Sequence, residues 1–290
     1  PEGGGALMAI IDCRNVIKIH KQGNLEVVAL QGLDFVMEEG EFISVVGKSG
    51  AGKSTLLRIL AGLEKPSAGK VEVAGVDLTD ATGAVLTRHY RRDVGFLWQD
   101  YTRNLLPYLS VMQNIELPML LSGVGRRRRR ARARALLEAT RLENHAFNRL
   151  NKMSGGEQQR LAMCVALAMG PKLLLADEPT GELDTETSLE IYELLRRMAH
   201  EAGLSVLVVT HDVALATRSD RVIRLADGQV AARSIIHHEI LRVGLDGTVE
   251  LPSDLRVEAG IGEHVRAEVT EDGILLRPES ELNGGQSDVD

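Results

Sequence analysis

GKSGAGKST, residues 47–55, decides the fold. Two glycines with four residues between them, followed by lysine and serine, make a loop whose backbone N–H groups wrap phosphate oxygens. The Lys53 ammonium neutralises charge at the β and γ phosphates, and the Ser54 hydroxyl is a ligand for Mg2+. The flanks agree with this reading. EFISVVG (41–47) is an apolar, β-branched run leading into the loop, and KSTLLRILAG (53–62) has helical spacing and a terminal glycine. A strand, a glycine turn and a helix N-terminus aimed at an anion form a nucleotide site, to which Gly47, Ser49, Gly50, Gly52, Lys53, Ser54 and Thr55 belong.

Outward from the loop, IIDCRNVIKIH (10–20) alternates as a strand, and VVALQGLDFVMEEGEFISVVG (27–47) reads as two strands around the acidic turn EEGE. KVEVAGVDL (70–78) is one more alternating strand, after the turn KPSAG. Residues 100–170 read as mostly helical: NLLPYLSVMQNIELP, the basic RRRRRARARALLEATRL, and a helix opened by Ser154. KLLLADEP then reads as a buried strand, TETSLEIYELLRRMAHEAG as a helix, LSVLVVTHD as a strand, and DRVIRLADGQV as a closing hairpin-like pair. Strands alternating with helices imply an α/β fold with a mainly parallel sheet and right-handed crossovers.

Chemistry-bearing residues recur at the ends of these strands. LLLADEPTGELD (173–184) places Asp177 and Glu178 at the end of an apolar strand, which in a parallel sheet faces the phosphate crevice. Asp177 suits the water shell of the metal, and Glu178 suits polarising an attacking water. LSVLVVTHD brings His211 and Asp212 to the same edge. A second anion-seeking helix end lies about a hundred residues after the loop: NKMSGGEQQR (151–160), with a small hydroxyl and two glycines opening a helix.

The 290 residues are 44% hydrophobic and only 3% aromatic, with a formal net charge of −7, a balance that argues against a nucleic-acid binder held by bulk electrostatics. Cys13 and Cys164 lie far apart without metal-ligand spacing and fit a reducing cytosol. No apolar run approaches the roughly 20 residues a bilayer span requires. PEGGGAL (1–7) ahead of Met8 reads as a remnant of expression.

The ordered set GKSGAGKST, Gln99 in VGFLWQD, MSGGEQQR, LLLADEPTGELD and VVTHD resembles the ATP-binding-cassette (ABC) ATPases over residues 9–233. Spacer residues in RNLLPYLSVMQNIELPMLLSGVG and the DRVIRLADGQV ending look most like the lipoprotein-release and macrolide-efflux ATPases and their cell-division relative. The resemblance implies a P-loop cassette with an antiparallel β subdomain and a helical subdomain over about 100–170. It also implies ATP and Mg2+ as cofactors. Two copies of the chain would sandwich two ATPs head to tail, Ser154, Gly155 and Gly156 serving the γ-phosphate held by the partner's loop. Gln99 would touch Mg2+ and the water and sense the membrane partner. With Ser54 and Asp177 it would complete the metal set. Glu178 would be the catalytic base, His211 the γ-phosphate contact, and Asp184 a contact across the dimer.

The sequence departs from the family pattern at three places. His20 stands where an adenine-stacking tyrosine is usual, Val165 where an arginine follows the signature, and Trp98 where phenylalanine precedes Gln99. RRRRRARARA (126–135) reads as a solvated helix face, with contact to lipid headgroups as the other reading. Near 235 the composition changes: lysine disappears and short alternating runs replace helices. The expected division is therefore a cassette over 8–234, a small β-rich module over 235–280, and a disordered polar tail over 281–290. LRVGLDGTVELPSDLRVEAGIGEHVRAEVTEDGILLRPE (241–279) resembles the swapped-hairpin domain of AbrB-type regulators. Its acidity disfavours DNA, leaving a dimerising or regulatory module or an unrelated β extension. The expectation overall is an ATPase peripheral to the cytoplasmic face of the inner membrane, driving a separate integral permease. A non-transport ATPase working a membrane partner mechanically is the alternative.

Overall fold

The computed structural model describes residues 9–22, 25–181, 183–230, 236–237, 265–270 and 273–278. The chain opens with two long strands, β1 (Ala9–Gln22) and β2 (Leu25–Glu38), paired antiparallel. β3 (Phe42–Val46) leaves them for a second sheet. After helix α1 (Lys53–Leu60), β4 (Ala68–Val73) and β5 (Val76–Asp77) return to the first, giving the antiparallel order β2-β1-β4-β5. The sequence suggests a single strand over KVEVAGVDL, but Ala74 and Gly75 both take positive φ (51° and 77°) and fold it into a hairpin. That is the left-handed pair that a two-residue turn between right-twisted strands demands.

In the second sheet, β6 (Val94–Leu97), β7 (Leu173–Asp177), β8 (Ser205–Thr210) and β9 (Arg221–Ala226) run parallel to β3. β10 (Gln229–Val230) closes it antiparallel, in the order β10-β9-β3-β8-β7-β6. β7 and β8 are buried at every position. Leu173, Leu175, Leu207 and Val209 enter one core with α1 and the antiparallel strands; Leu174, Ala176, Val206 and Val208 enter the other with the helices. A sheet covered on both faces explains why these strands read as continuous apolar runs.

The other helices are α2 (Ala84–Arg88), α3 (Val111–Leu121), α4 (Arg126–Ala139), α5 (Gly155–Leu167), α6 (Thr185–Ala202) and α7 (Val213–Ala216). α3 starts later than the apolar pattern suggests. Ser110 accepts from the Gln113 N–H while the Gln113 side chain accepts from Ser110 N–H, so this capping box sets the start. Leu136, Leu137, Ile115 and Leu161 lock α3, α4 and α5 into one helical layer. No helix among the described residues is long and apolar enough to cross a membrane.

The chain divides into two compact units, one ending at Ile236 and one beginning at His237. In the second, Val265–Thr270 and Gly273–Pro278 pair antiparallel from Val265↔Pro278 to Thr270↔Gly273. The remaining expected elements of 241–279, with residues 1–7 and the 281–290 tail, lie outside the described residues.

Candidate functional site: a nucleotide site at the strand ends

β3 delivers the loop 47–52 and α1 carries it away. The close approach of backbone accounts for two of its glycines. A Cβ on Gly47 would sit 2.4 Å from the Leu225 carbonyl oxygen, and one on Gly52 would sit 2.3 Å from that of Ala29, with φ at +98°. Lys53 is buried and donates from Nζ to the carbonyls of Gly47 (2.7 Å) and Lys48 (3.1 Å), so its ammonium lies folded across the loop. A cavity of about 820 Å³ borders this loop on the side of His211, Arg224 and Asp227.

On the loop's other side a smaller cavity, about 210 Å³, is lined by Ser54, Gln99 and Asp177 together with Arg58, Asp100 and Arg103. The Ser54 hydroxyl donates to Asp177 Oδ1 at 3.1 Å. Burial pushes the Asp177 carboxyl above its ordinary range, opposed by that hydrogen bond and raised further by Glu178. One buried carboxylate, a hydroxyl and an amide oxygen around a small polar cavity fit Mg2+, which prefers few protein ligands plus phosphates and water. Among the described residues no cluster of three or more His, Cys, Asp or Glu side chains offers another metal cage. The three residues expected to hold the metal are thus brought together.

Glu178 follows β7 and takes φ +44°, a left-handed conformation costing a non-glycine residue about 1–2 kcal/mol. Sheet hydrogen bonding holds it there: its N–H donates to the Val209 carbonyl at 2.8 Å. Its Oε2 lies 3.0 Å from His211 Nδ1, so base candidate and imidazole form one unit at the ends of β7 and β8. Asp212 serves locally, capping α7 by accepting from the Leu215 N–H.

The other expected residues lie apart. Ser154 is exposed and caps α5, its hydroxyl accepting from the Glu157 N–H while the Glu157 carboxylate accepts from Ser154 N–H. Neither Ser154 nor Gly155 nor Gly156 lines either cavity at the loop. Asp184 caps α6 through Thr187, whose N–H and hydroxyl hold its carboxyl below the usual range. His20 stands beside the loop helix, with Nε2 3.4 Å from Thr55 Oγ1, and lines neither cavity.

Sequence reasoning did not single out Arg58 and Arg103. Both were within reach of a spacing argument, each lying four residues beyond an expected metal ligand, Ser54 and Gln99. Trp98 holds Arg103: the guanidinium lies 3.9 Å above its ring, and the ring packs on Phe96 at 4.4 Å. Asn104 fixes the same loop, accepting from Trp98 N–H and donating to the Phe96 carbonyl. Val165 borders a third cavity, about 300 Å³, with Tyr90, Arg91, Leu117, Leu121 and Met169.

Comparison with known proteins agrees with this geometry. The model of a family described as "ABC transporter" matches residues 30–181. The lipoprotein-releasing system ATP-binding protein LolD of Ruegeria sp. (strain TM1040) is 48% identical over 72% of this chain and 91% of its own length. LolD of Geobacter metallireducens is 39% identical over 78% of this chain and its full length. Among solved structures, a dimeric ATP-binding cassette of Methanocaldococcus jannaschii in a post-hydrolysis state, bound to ADP and phosphate, is 39% identical. It aligns with a TM-score of 0.69 over 76% of this chain and 96% of that one. With the loop, the metal-fitting cavity and the Glu178–His211 unit in place, this chain belongs to the ATP-binding-cassette transporter family of ATPases.

Proposed function

We propose that the chain is the ATPase subunit of a transporter, working as a head-to-tail homodimer on a separate integral membrane permease from the cytoplasmic face of the membrane. The observation that carries this reading is a division of labour among phosphate-directed groups. Residues 47–51 and Ser54 of the loop, with Asp177, Gln99 and His211, gather on the two cavities beside it, whereas the Ser154 helix end faces solvent with no role in either. A second copy would bring that end, with Gly155 and Gly156, onto the γ-phosphate held by the first copy's loop. Asp184, one turn before Thr187 on which Gly156 packs, borders the same surface.

Within each site, Lys53 leaves the loop carbonyls to meet phosphate charge, and Glu178 takes the proton of the attacking water while His211, 3.0 Å from its carboxylate, contacts the γ-phosphate. Bound Mg2+ supplies charge neutralisation at the phosphates, held by Ser54, Gln99 and Asp177. The 300 Å³ groove beside β6 supports permease docking, because Asn104 ties the Gln99 loop to a strand that walls the groove. The names of the LolD relatives favour lipoprotein release as the work performed.

Light scattering of the Glu178→Gln variant with Mg2+ and ATP tests the dimer: a doubling of mass that Ser154→Arg abolishes is the expected result. A variant that stays monomeric throughout refutes head-to-tail assembly. Affinity capture from native membranes in mild detergent tests the partner. A permease with few spans and a large extracytoplasmic domain is expected, and recovery of soluble proteins alone overturns the transport reading.

A further inference from the structure

The net charge of −7 conceals an uneven distribution. Residues 237–290 hold 13 Asp and Glu against 4 Arg, whereas residues 84–152 hold 14 Arg and Lys against 5 Asp and Glu. The cassette is therefore not an acidic body, and its helical layer is strongly basic. The basic charge is densest on α4, where seven of the ten residues 126–135 are arginine.

A helix kept only for a solvated face would not be built this way. Its first turn contains no acid and no side chain caps it, so the arginines face the positive end of the helix dipole uncompensated. Arg126, Arg130 and Arg134 follow one another at i, i+4 spacing, where like charges repel. Such local conflicts with helix stability are expected where a surface serves binding. Two arginines have structural work: Arg129 donates to the Val124 carbonyl at 2.7 Å and Arg132 to that of Leu167 at 3.2 Å. Arg130 reaches Glu116 of α3 only at 4.0 Å. Arg126, Arg127 and Arg134 are exposed and make no hydrogen bond or ion pair among the described residues.

Position completes the argument. Ala133, Leu136 and Leu137 point α4 into the core, which leaves Arg126, Arg127, Arg130 and Arg134 on one flank, the flank that meets α3 at Glu116. Leu120 lies one turn beyond Glu116 on the same row of α3. It is 52% exposed and its neighbour Leu121 is 73% exposed. Leu121 in turn lines the groove with Tyr90 and Arg91. An arginine stripe edged by exposed leucine, beside the groove to which the membrane-embedded partner docks, matches an anionic headgroup layer in charge and polarity.

We infer that the Arg126/Arg127/Arg130/Arg134 flank of α4, with Leu120, rests on anionic phospholipid headgroups when the cassette is on its permease. This inference rests on the transport reading above. Guanidinium forks pair with phosphate in two-point geometry, and each charge near such a surface multiplies partition about fivefold. The contact orients the cassette before docking and adds to permease affinity as a second, tethered interaction.

The test uses the full chain and a variant with Arg126, Arg127, Arg130 and Arg134 all changed to glutamine, which preserves helix propensity. Both are sedimented with vesicles of phosphatidylcholine alone and of phosphatidylcholine with equimolar phosphatidylglycerol. The wild type is expected to bind only the anionic vesicles, with binding lost at high salt. The variant is expected to lose at least about tenfold in partition at an unchanged basal ATPase rate. Equal partition of the two proteins overturns the inference, as does absence of vesicle binding. Binding to a duplex oligonucleotide in place of vesicles overturns it too and reassigns the stripe. Capture of the permease, run in parallel in detergent, separates the two readings. If it survives while vesicle binding fails, only the lipid contact falls.

Discussion

Replacing Glu178 by glutamine separates chemistry from architecture. The backbone strain at φ +44° is the same in both proteins, and the amide carbonyl still accepts from His211 if Nδ1 carries the proton. The lost term is the charge on a bond between a carboxylate 19% exposed and an imidazole 65% exposed, which solvent screens to about 0–1 kcal/mol. Unfolding free energy should therefore change by less than about 1 kcal/mol. Hydrolysis should fall on the order of 100- to 10,000-fold, the contribution of a positioned general base. Urea denaturation, ATP binding by equilibrium dialysis and phosphate release together measure the three quantities. His211→Ala should slow hydrolysis as well, and the double variant should be little slower than Glu178→Gln because the two act as a unit. Phosphate release within about tenfold of wild type would refute the assignment of Glu178 as base. Loss of ATP binding along with activity would show instead that the loop had been disturbed.

Other substitutions have equally definite expected outcomes. Gly52→Ala combines a left-handed φ with a methyl 2.3 Å from the Ala29 carbonyl, so it should lose about 2–4 kcal/mol in chemical denaturation. Gly50→Ala, at φ +82° in open space, should lose only about 1–2 kcal/mol, and equal losses would contradict the steric account. Burial pushes the Cys13 and Cys164 thiols from 9.0 up to about 12, so the folded chain keeps protons that the unfolded chain releases above pH 9. Stability from this source is complete below pH 9 and declines as pH rises towards 12. Both thiols should resist iodoacetamide at pH 8 until urea unfolds the chain, and prompt alkylation of the native protein would contradict their burial. On the proposal that residues 235–280 form the dimerising module their sequence resembles, deleting the residues after 234 should weaken self-association while leaving nucleotide binding intact; unchanged sedimentation of the truncated chain would give those residues another role.

Strands β7 and β8 were legible because a parallel sheet buried on both faces leaves continuous apolar runs, and LLLAD and LSVLVVT are such runs. The loop was legible for a different reason: Gly47 and Gly52 occupy positions where any side chain would meet backbone. What escaped had no period to betray it. β6 is only four residues, VGFL, too short to separate from a turn of buried helix. The stretch from Ala84 to Asp93 mixes charge and aliphatic residues, and forms α2 and a wide turn around the buried His89, which contacts the Leu60 carbonyl at 3.2 Å. The polar bonds that hold the Gln99 loop, from Asn104 and from Arg103 over Trp98, are tertiary facts that spacing suggests only after the loop is known. The whole-chain charge misled in one respect, since a sum near the acidic side concealed the basic helical layer.

The register of the central strands sets which changes of chain length the protein tolerates. Val46 pairs with Thr210, and Asp177 with Val209, so the loop, the Asp177 carboxylate and the His211 imidazole leave the sheet at nearly one height. One residue inserted in β7 or β8 would advance its end by about 3.3 Å and turn every following side chain to the opposite core. Insertions should therefore be tolerated only in the connections on the opposite edge of the sheet and in the outer turns of the helical layer. Within β3, β7 and β8 sequence can drift by substitution alone, as the teeth of a key may be recut but not respaced.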